Sequence, residues 1–261
     1  MDEVRVRAEH DRGVLAGLLG RDPLLHAYEL GDLDDAFWPY TRWWRRGEQV
    51  ALLYQGVGLA TLLAFAPPER TGGLVALLAE LVPVLPDRLH AHLSPGVADA
   101  VAGGFEVTEV TGHLKLALTD RGRLAGVVPA GSVLTGADLP ELAALYAVAY
   151  PEVRFDERLL ATGRYVGIRD GGELVAVAGV HVWSPVYGVA AVGNVATHPR
   201  VRGRGLAGAA VAAVCGGLLR DGVDRVVLNV RADNGAAVRL YERLGFTRVA
   251  GYDEMTVTVR R

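Results

Sequence analysis

The chain has 261 residues, 51% of them hydrophobic and 22% charged, with 33 glycines and one cysteine. This is too apolar for a disordered chain and long enough for one large or two modest cores. A net charge of −3 excludes any general attraction of the whole molecule to nucleic acid or to an anionic membrane. The charge is uneven, however. Residues 1–125 hold 12 basic and 17 acidic side chains (−5), and residues 126–261 hold 15 and 13 (+2), so an anionic ligand is expected in the second half. Lys115 is the only lysine, so an arginine here argues less for function than usual. Cys215 has no partner for an internal disulfide, which favours a reducing compartment, and between Val214 and Gly216 it reads as a small buried residue. The segment MDEVRVRAEHDRG lacks the apolar core of a secretion signal, and no window reaches the length of a membrane span. The expectation is a soluble, cytoplasmic protein.

In chain order, residues 11–46 read as helices, with Trp38, Trp43 and Trp44 in DLDDAFWPYTRWW forming a helix–sheet interface or a ligand wall. QVALLYQGVGLATLLAF reads as two strands broken at Gly56. A helix near 72–82, the strand RLHAHL, a short helix near 96–103 and an alternating strand at 110–118 follow. The polar stretch TDRGRLAGVVPAG, 119–131, is the best boundary, giving an N-terminal α/β domain over 1–125 and a second over 126–261. In the second, Asp138 caps a helix that Pro151 ends, and a short helix near 155–162 follows. Strands at 164–169, 173–183 and 186–197 come next, the first two joined by a hairpin turn at DGG. Apolar spacing then gives a helix over 203–220, a buried strand RVVLNV, a helix over 234–244 stopped by Gly245, and strands around Phe246 and in EMTVTVR. This is a mixed α/β sheet fold, with no repeat of fixed period.

The stretch ATHPRVRGRGLAGAA, 196–210, is the most informative. Arg200, Arg202 and Arg204 look basic, but no aromatic residue is interleaved, so a polynucleotide site is disfavoured. The glycines fall between a strand and a long helix, where free first-turn amides and the helix dipole make an anion site. No Gly-Lys-Ser/Thr follows, which excludes the nucleoside-triphosphate loop. The dinucleotide fingerprint lacks its acidic residue, since RVVLNV ends in Asn229 and Val230.

Arg202-x-x-Gly205-x-Ala207, after a strand and ATHP and before a long helix, resembles the coenzyme A pyrophosphate loop of the GNAT acetyltransferase superfamily. LNVRADNGAAVRLYERLGF, 228–246, is similar to the superfamily's last motif, with Asn234, Ala237, Tyr241 and Gly245-Phe246 at the matching spacings. The closest likeness is to the glycine N-acyltransferase-like branch, whose members carry a degenerate GNAT-like half at the N-terminus. Residues 1–125 match that half in element order but hold no Arg-x-x-Gly-x-Gly/Ala loop.

The resemblance implies two tandem GNAT-like halves, with acetyl-CoA bound in the second and its acetyl group passed by direct attack to a primary amine of a small molecule or peptide. Asn194 to Thr197 would pair with the pantetheine arm, with the amides of Val195 and Thr197 turned to it and Ala196 between. The pyrophosphate would rest on the amides of Arg202, Gly203, Arg204, Gly205, Leu206 and Ala207, with the Arg202 and Arg204 side chains adding charge. The Val195 amide would meet the developing oxyanion, and Tyr241 would be the general acid for the thiolate. Asn234 either bonds the cofactor or caps its helix, beside Ala237. For a general base the chain offers His181 and Glu173; His198 is expected to serve the turn, and water is an alternative. Asn194 is a candidate substrate contact, and Tyr146, Tyr150 and Arg154 are candidate pocket residues. No metal site is expected, and both monomer and homodimer stay open. A non-catalytic acyl-CoA-binding or regulatory module is the rival reading, and an interaction protein a third.

Overall fold

The computed structural model describes residues 5–151, 153 and 155–260. One unit takes the described residues up to Lys115 together with Arg231–Asp233 and the chain from Val249 on; the other takes Leu116–Val230 and Asn234–Arg248.

The first unit opens with β1 (Arg7–Ala8) and α1 (Arg12–Leu19), started by Asp11, whose carboxylate accepts the amides of Gly13 and Val14. It continues through α2 (Ala27–Asp32), β2 (Thr41–Arg46), β3 (Gln49–Tyr54), β4 (Thr61–Ala64), α3 (Thr71–Leu81), β5 (Arg88–Leu93), α4 (Asp99–Ala102) and β6 (Phe105–Leu118). β6 ends in the second unit. α3 presents Leu74, Leu77, Leu78 and Leu81, one stripe at helical spacing, to a core with Leu62, Leu89 and Phe105. The tryptophans are not on a helix as expected. Trp38 is in a single 3₁₀ turn containing Pro39, and Trp43 and Trp44 lie on β2 opposite Leu52 and Ala51 of β3. Pro39 cannot continue a helix, and adjacent aromatics suit a strand whose two faces are both part-covered.

The second unit contains α5 (Arg121–Ala125), β7 (Ser132–Val133), α6 (Leu139–Ala149), β8 (Val166–Asp170), β9 (Glu173–Ser184), β10 (Val189–Thr197), α7 (Leu206–Arg220), β11 (Arg225–Arg231), α8 (Gly235–Arg243) and β12 (Phe246–Val259). The hairpin between β8 and β9 turns on Gly171 and Gly172, both at positive φ, as a two-residue primed turn requires. Leu174 to Val180 are all buried, a run covered on both faces, and α7 packs against β8, β9 and β10 with Ala210, Val211, Val214, Cys215 and Leu218 buried.

Two expectations are corrected. The boundary stretch 119–131 holds α5, a helix absent from the sequence expectation, and the last two strands are one, β12. Within the first unit, residues 253–258 pair antiparallel with 88–93, so the chain from Val249 on packs with the first part of the chain.

Each unit repeats one pattern. β1 to β4 pair antiparallel in sequence, and β4 runs parallel to β5 across α3. β7 to β10 do the same, and β10 runs parallel to β11 across α7. A parallel neighbour needs a crossover, and the helix supplies it.

Candidate functional site

The site begins where β10 leaves β11. β10 pairs with β9 out to Thr197, but with β11 only from Val189 opposite Arg225 to Val192 opposite Leu228. Beyond that rung the two parallel strands run on without pairing each other, which makes a fork. Two polar atoms on its arms are buried without a hydrogen-bond partner, Thr197 Oγ1 on β10 and Asn229 Oδ1 on β11. A buried polar atom left unpaired costs about 1–3 kcal/mol, so a bound donor would relieve both. Asn229 was not singled out as a site residue from the sequence; the signal for it is one amide inside the apolar run RVVLNV.

The first unit has the corresponding strands closed. There β4 and β5 pair from Thr61 opposite His90 to Ala64 opposite Leu93, and Ser94 Oγ, 3.0 Å from each, accepts from the Ala66 amide and donates to the Ala66 carbonyl. No fork opens between them.

At the end of β10, His198 Nδ1 accepts the Arg200 amide at 3.3 Å and caps the turn Pro199–Val201. His198 therefore serves the turn, as expected. Gly203 (φ 80°) and Gly205 (φ 79°) take left-handed conformations, and Gly205 is the N-cap of α7 with no side chain bonded to the helix amides. A Cβ on either glycine would meet nothing within 4 Å. Backbone conformation, then, rather than crowding by the protein, asks for glycine here, and the space is left to a ligand.

The arginines are tied elsewhere. Arg202 donates to the Thr197 carbonyl at 3.2 Å and the Ala149 carbonyl at 3.4 Å, Arg204 pairs with Asp170 at 2.7 Å, and Arg200 pairs with Glu173. Each guanidinium uses only part of its five N–H donors in these bonds, and among the loop amides that of Arg202 bonds the Pro199 carbonyl at 3.4 Å.

α8 carries the second motif. Asn234 Oδ1 accepts the Ala237 amide at 3.1 Å, so of its two readings the helix cap is the one seen. Tyr241, 7% exposed, packs edge-on against Phe246 with ring centres 6.0 Å apart. Burial first, then Tyr150 and Cys215 nearby, push the Tyr241 hydroxyl above its ordinary pKa, so it stays protonated. Burial raises the Cys215 thiol to about 12, so it is inert as a nucleophile. Gly245 stops α8 at φ 94°, where a Cβ would sit 2.1 Å from the Asp120 carbonyl oxygen.

Asn194 is not the substrate contact expected. It is 5% exposed, its Nδ2 donates to Tyr165 Oη at 2.7 Å, and its carbonyl accepts from Tyr146 Oη at 2.9 Å. Tyr146, expected in an acceptor pocket, is 4% exposed and forms part of this bond chain. Tyr150, by contrast, is 42% exposed at the end of α6 and electrostatically coupled to Tyr241. The ring of His181 lies on Gly193, where a Cβ would fall 2.1 Å from His181 Nε2, so this imidazole sits beside the first residue of β10 past the last rung. Glu173, the other base candidate, pairs with Arg200 at the far end of β9. Arg154 lies outside the described residues.

Coenzyme A fits what is present: uncapped amides at the start of α7, clearance at Gly203 and Gly205, and unpartnered oxygens along the fork. Among the described residues no helix is long and apolar enough to cross a membrane, and no three His, Cys, Asp or Glu side chains are grouped to hold a metal ion.

Residues 137–246 match the acetyltransferase (GNAT) family model. A curated mycothiol acetyltransferase from Brachybacterium faecium is 52% identical over 59 residues, 23% of this chain, and the matched stretch spans only 18% of that relative's length. Among solved structures, a Drosophila protein superposes with a TM-score of 0.69 at 17% identity, covering 97% of this chain and 98% of its own. A tandem GNAT protein from the clavulanic acid biosynthesis pathway superposes with a TM-score of 0.59 at 19% identity, covering 99% of each chain. At these identities the structures show the fold, a GNAT fold over the full chain. The comparisons do not set the chain in the glycine N-acyltransferase-like branch.

Proposed function

We propose, for a chain that belongs to the GNAT acetyltransferase superfamily through residues 137–246, that its second half transfers an acetyl group from acetyl-CoA to a primary amine. The observation that carries this reading is the parting of β10 from β11 beyond Val192 and Leu228, with β10 running on into the loop that starts α7. The first half is a degenerate GNAT-like partner without a cofactor site, supported by the closed β4–β5 pair and the Ser94 bridge. The likeness to a mycothiol acetyltransferase favours a small-molecule acceptor over a peptide.

The thioester, when bound, supplies an electrophilic carbonyl and a thiolate leaving group. The backbone of Val195, Ala196 and Thr197 pairs with the pantetheine arm as an added strand would. The amides of Gly203 to Ala207 take the pyrophosphate, next to Arg202, whose amide bonds the Pro199 carbonyl, and Ala237, on the helix that Asn234 caps, lines the cofactor from α8. The Val195 amide donates to the acyl oxygen as a neutral amine attacks the carbonyl carbon. As the new C–N bond forms and the C–S bond breaks, the Tyr241 hydroxyl gives its proton to sulfur. His181, at Gly193, receives the proton that leaves nitrogen.

A thiol-release assay with acetyl-CoA over an amine panel tests this. Wild-type enzyme is expected to turn over, and Tyr241→Phe to lose about 10²-fold or more in kcat while holding its acetyl-CoA affinity. Tight acetyl-CoA binding without turnover on any amine would instead support a non-catalytic acyl-CoA-binding module.

A further inference from the structure

The bulge in β10 has more holding it than the sheet. Gly193 pairs with Gly179 and Ala196 with Val177, so Asn194 and Val195 together oppose the single residue Ala178. Asn194 takes φ 52°, a left-handed conformation that non-glycine residues hold only when their surroundings fix it. Its surroundings do so at both ends. Tyr146 Oη, from α6, donates to the Asn194 carbonyl at 2.9 Å. Asn194 Nδ2 donates to Tyr165 Oη at 2.7 Å, and Tyr165 passes its own hydrogen to the Val180 carbonyl at 2.9 Å. The single hydroxyl hydrogen of Tyr165 fixes the direction of the chain. All three residues are 5% exposed or less, and burial raises both phenols above their ordinary pKa, which keeps them donors. The Phe155 ring lies 5.5 Å from those of Tyr146 and Tyr165, and the Tyr165 ring rests on Gly179, where a Cβ would come within 2.3 Å of it.

The consequence follows from peptide planarity. The Asn194 carbonyl and the Val195 N–H belong to one rigid trans unit and point in opposite directions. Holding that carbonyl against Tyr146 therefore aims the Val195 N–H. We infer that Tyr146, Asn194 and Tyr165 are positioning residues that orient the Val195 amide toward the acyl oxygen of the bound thioester. This rests on the reading of the fork as the acetyl-CoA site. It also links α6 to the polarisation of the carbonyl, with no side chain touching the reacting atoms.

The test uses acetyl-CoA labelled with ¹³C at the acyl carbonyl, whose infrared band reports the hydrogen bond to its oxygen and needs no acceptor amine. In wild-type protein the band is expected to move to lower frequency on binding. In Tyr146→Phe it is expected to return toward its free position while coenzyme A, which lacks the carbonyl, binds as before. Asn194→Gly admits the positive φ but removes the bond to Tyr165, and is expected to shift the band back in the same sense. A band unmoved in both variants, with acetyl-CoA still bound, would show the three residues to be core bonding only and overturn the proposal. Absence of acetyl-CoA binding by the wild type would overturn the acetyl-CoA reading, and this proposal with it.

Discussion

Replacing Gly205 with alanine separates the two reasons a loop can require glycine. The added Cβ meets no atom within 4 Å, so no clash with the protein contributes. What remains is the backbone: φ 79° and ψ 2° place the N-cap of α7 in the left-handed region, which costs a residue with a Cβ about 1–2 kcal/mol. If the loop keeps its shape, the folded state absorbs that strain. At ~2–4 °C per kcal/mol for a chain of this size, the thermal midpoint should fall by about 2–8 °C. If the loop relaxes instead, the first-turn amides turn away, and up to the same energy is lost from coenzyme A binding, about 5–30-fold. Thermal scans with and without coenzyme A, together with a binding titration, distinguish these. Gly136→Ala is the control, since its Cβ also enters open space but its φ is not positive. It should leave both quantities nearly unchanged. If Gly205→Ala also leaves midpoint and affinity unchanged, the conformational argument is refuted.

Two further predictions concern the first unit. Asp32 is 4% exposed, and burial, with Glu29 adding repulsion, raises its pKa well above the usual carboxylate range. It therefore folds as the neutral acid, and its contribution is full below the unfolded pKa and is lost as pH climbs toward the folded one. Asp32→Asn should gain on the wild type in thermal midpoint progressively from about pH 4 upward; a difference independent of pH would show that Asp32 is not the titrating group. Glu29 behaves oppositely: burial raises its pKa, but His26 and Lys115 together pull it below the ordinary value. Ser94→Ala leaves the Ala66 amide and carbonyl without their partner inside the core and should cost about 2–3 kcal/mol in denaturant unfolding. A loss below about 0.5 kcal/mol would mean water or a shifted backbone replaces the hydroxyl easily.

What could be read from sequence was local. Gly203, Gly205 and Gly245 mark places where the backbone needs positive φ, and α7 shows through as a long run of small and apolar residues most of which are buried. The tryptophans misled because residues 11–46 read together as helices, although Pro39 interrupts that run and aromatic Trp43 and Trp44 suit the strand that pairs with β3. Contacts between distant residues left no local trace. Tyr146 and the Asn194 carbonyl are 48 residues apart, and nothing near Asn194 announces that its amide faces Tyr165 rather than a substrate. Asp170 and Glu173 likewise sit in a turn region that gives no sign of the arginines they hold. The pairing of residues 253–258 with 88–93 lies beyond any periodicity argument, since strand partners are chosen by the tertiary fold.

The central claim is that the loop between β10 and α7 is the coenzyme A pyrophosphate site, and calorimetric titration of coenzyme A addresses it most directly. Wild-type protein should bind at a single site with an affinity that weakens as salt rises, since the anion is held by exposed dipoles. Gly205→Glu puts a carboxylate and a Cβ where the phosphates would rest, and should weaken binding by about tenfold or more while the protein stays folded. A wild type that does not bind coenzyme A, or a folded Gly205→Glu that binds it equally well, would contradict the account.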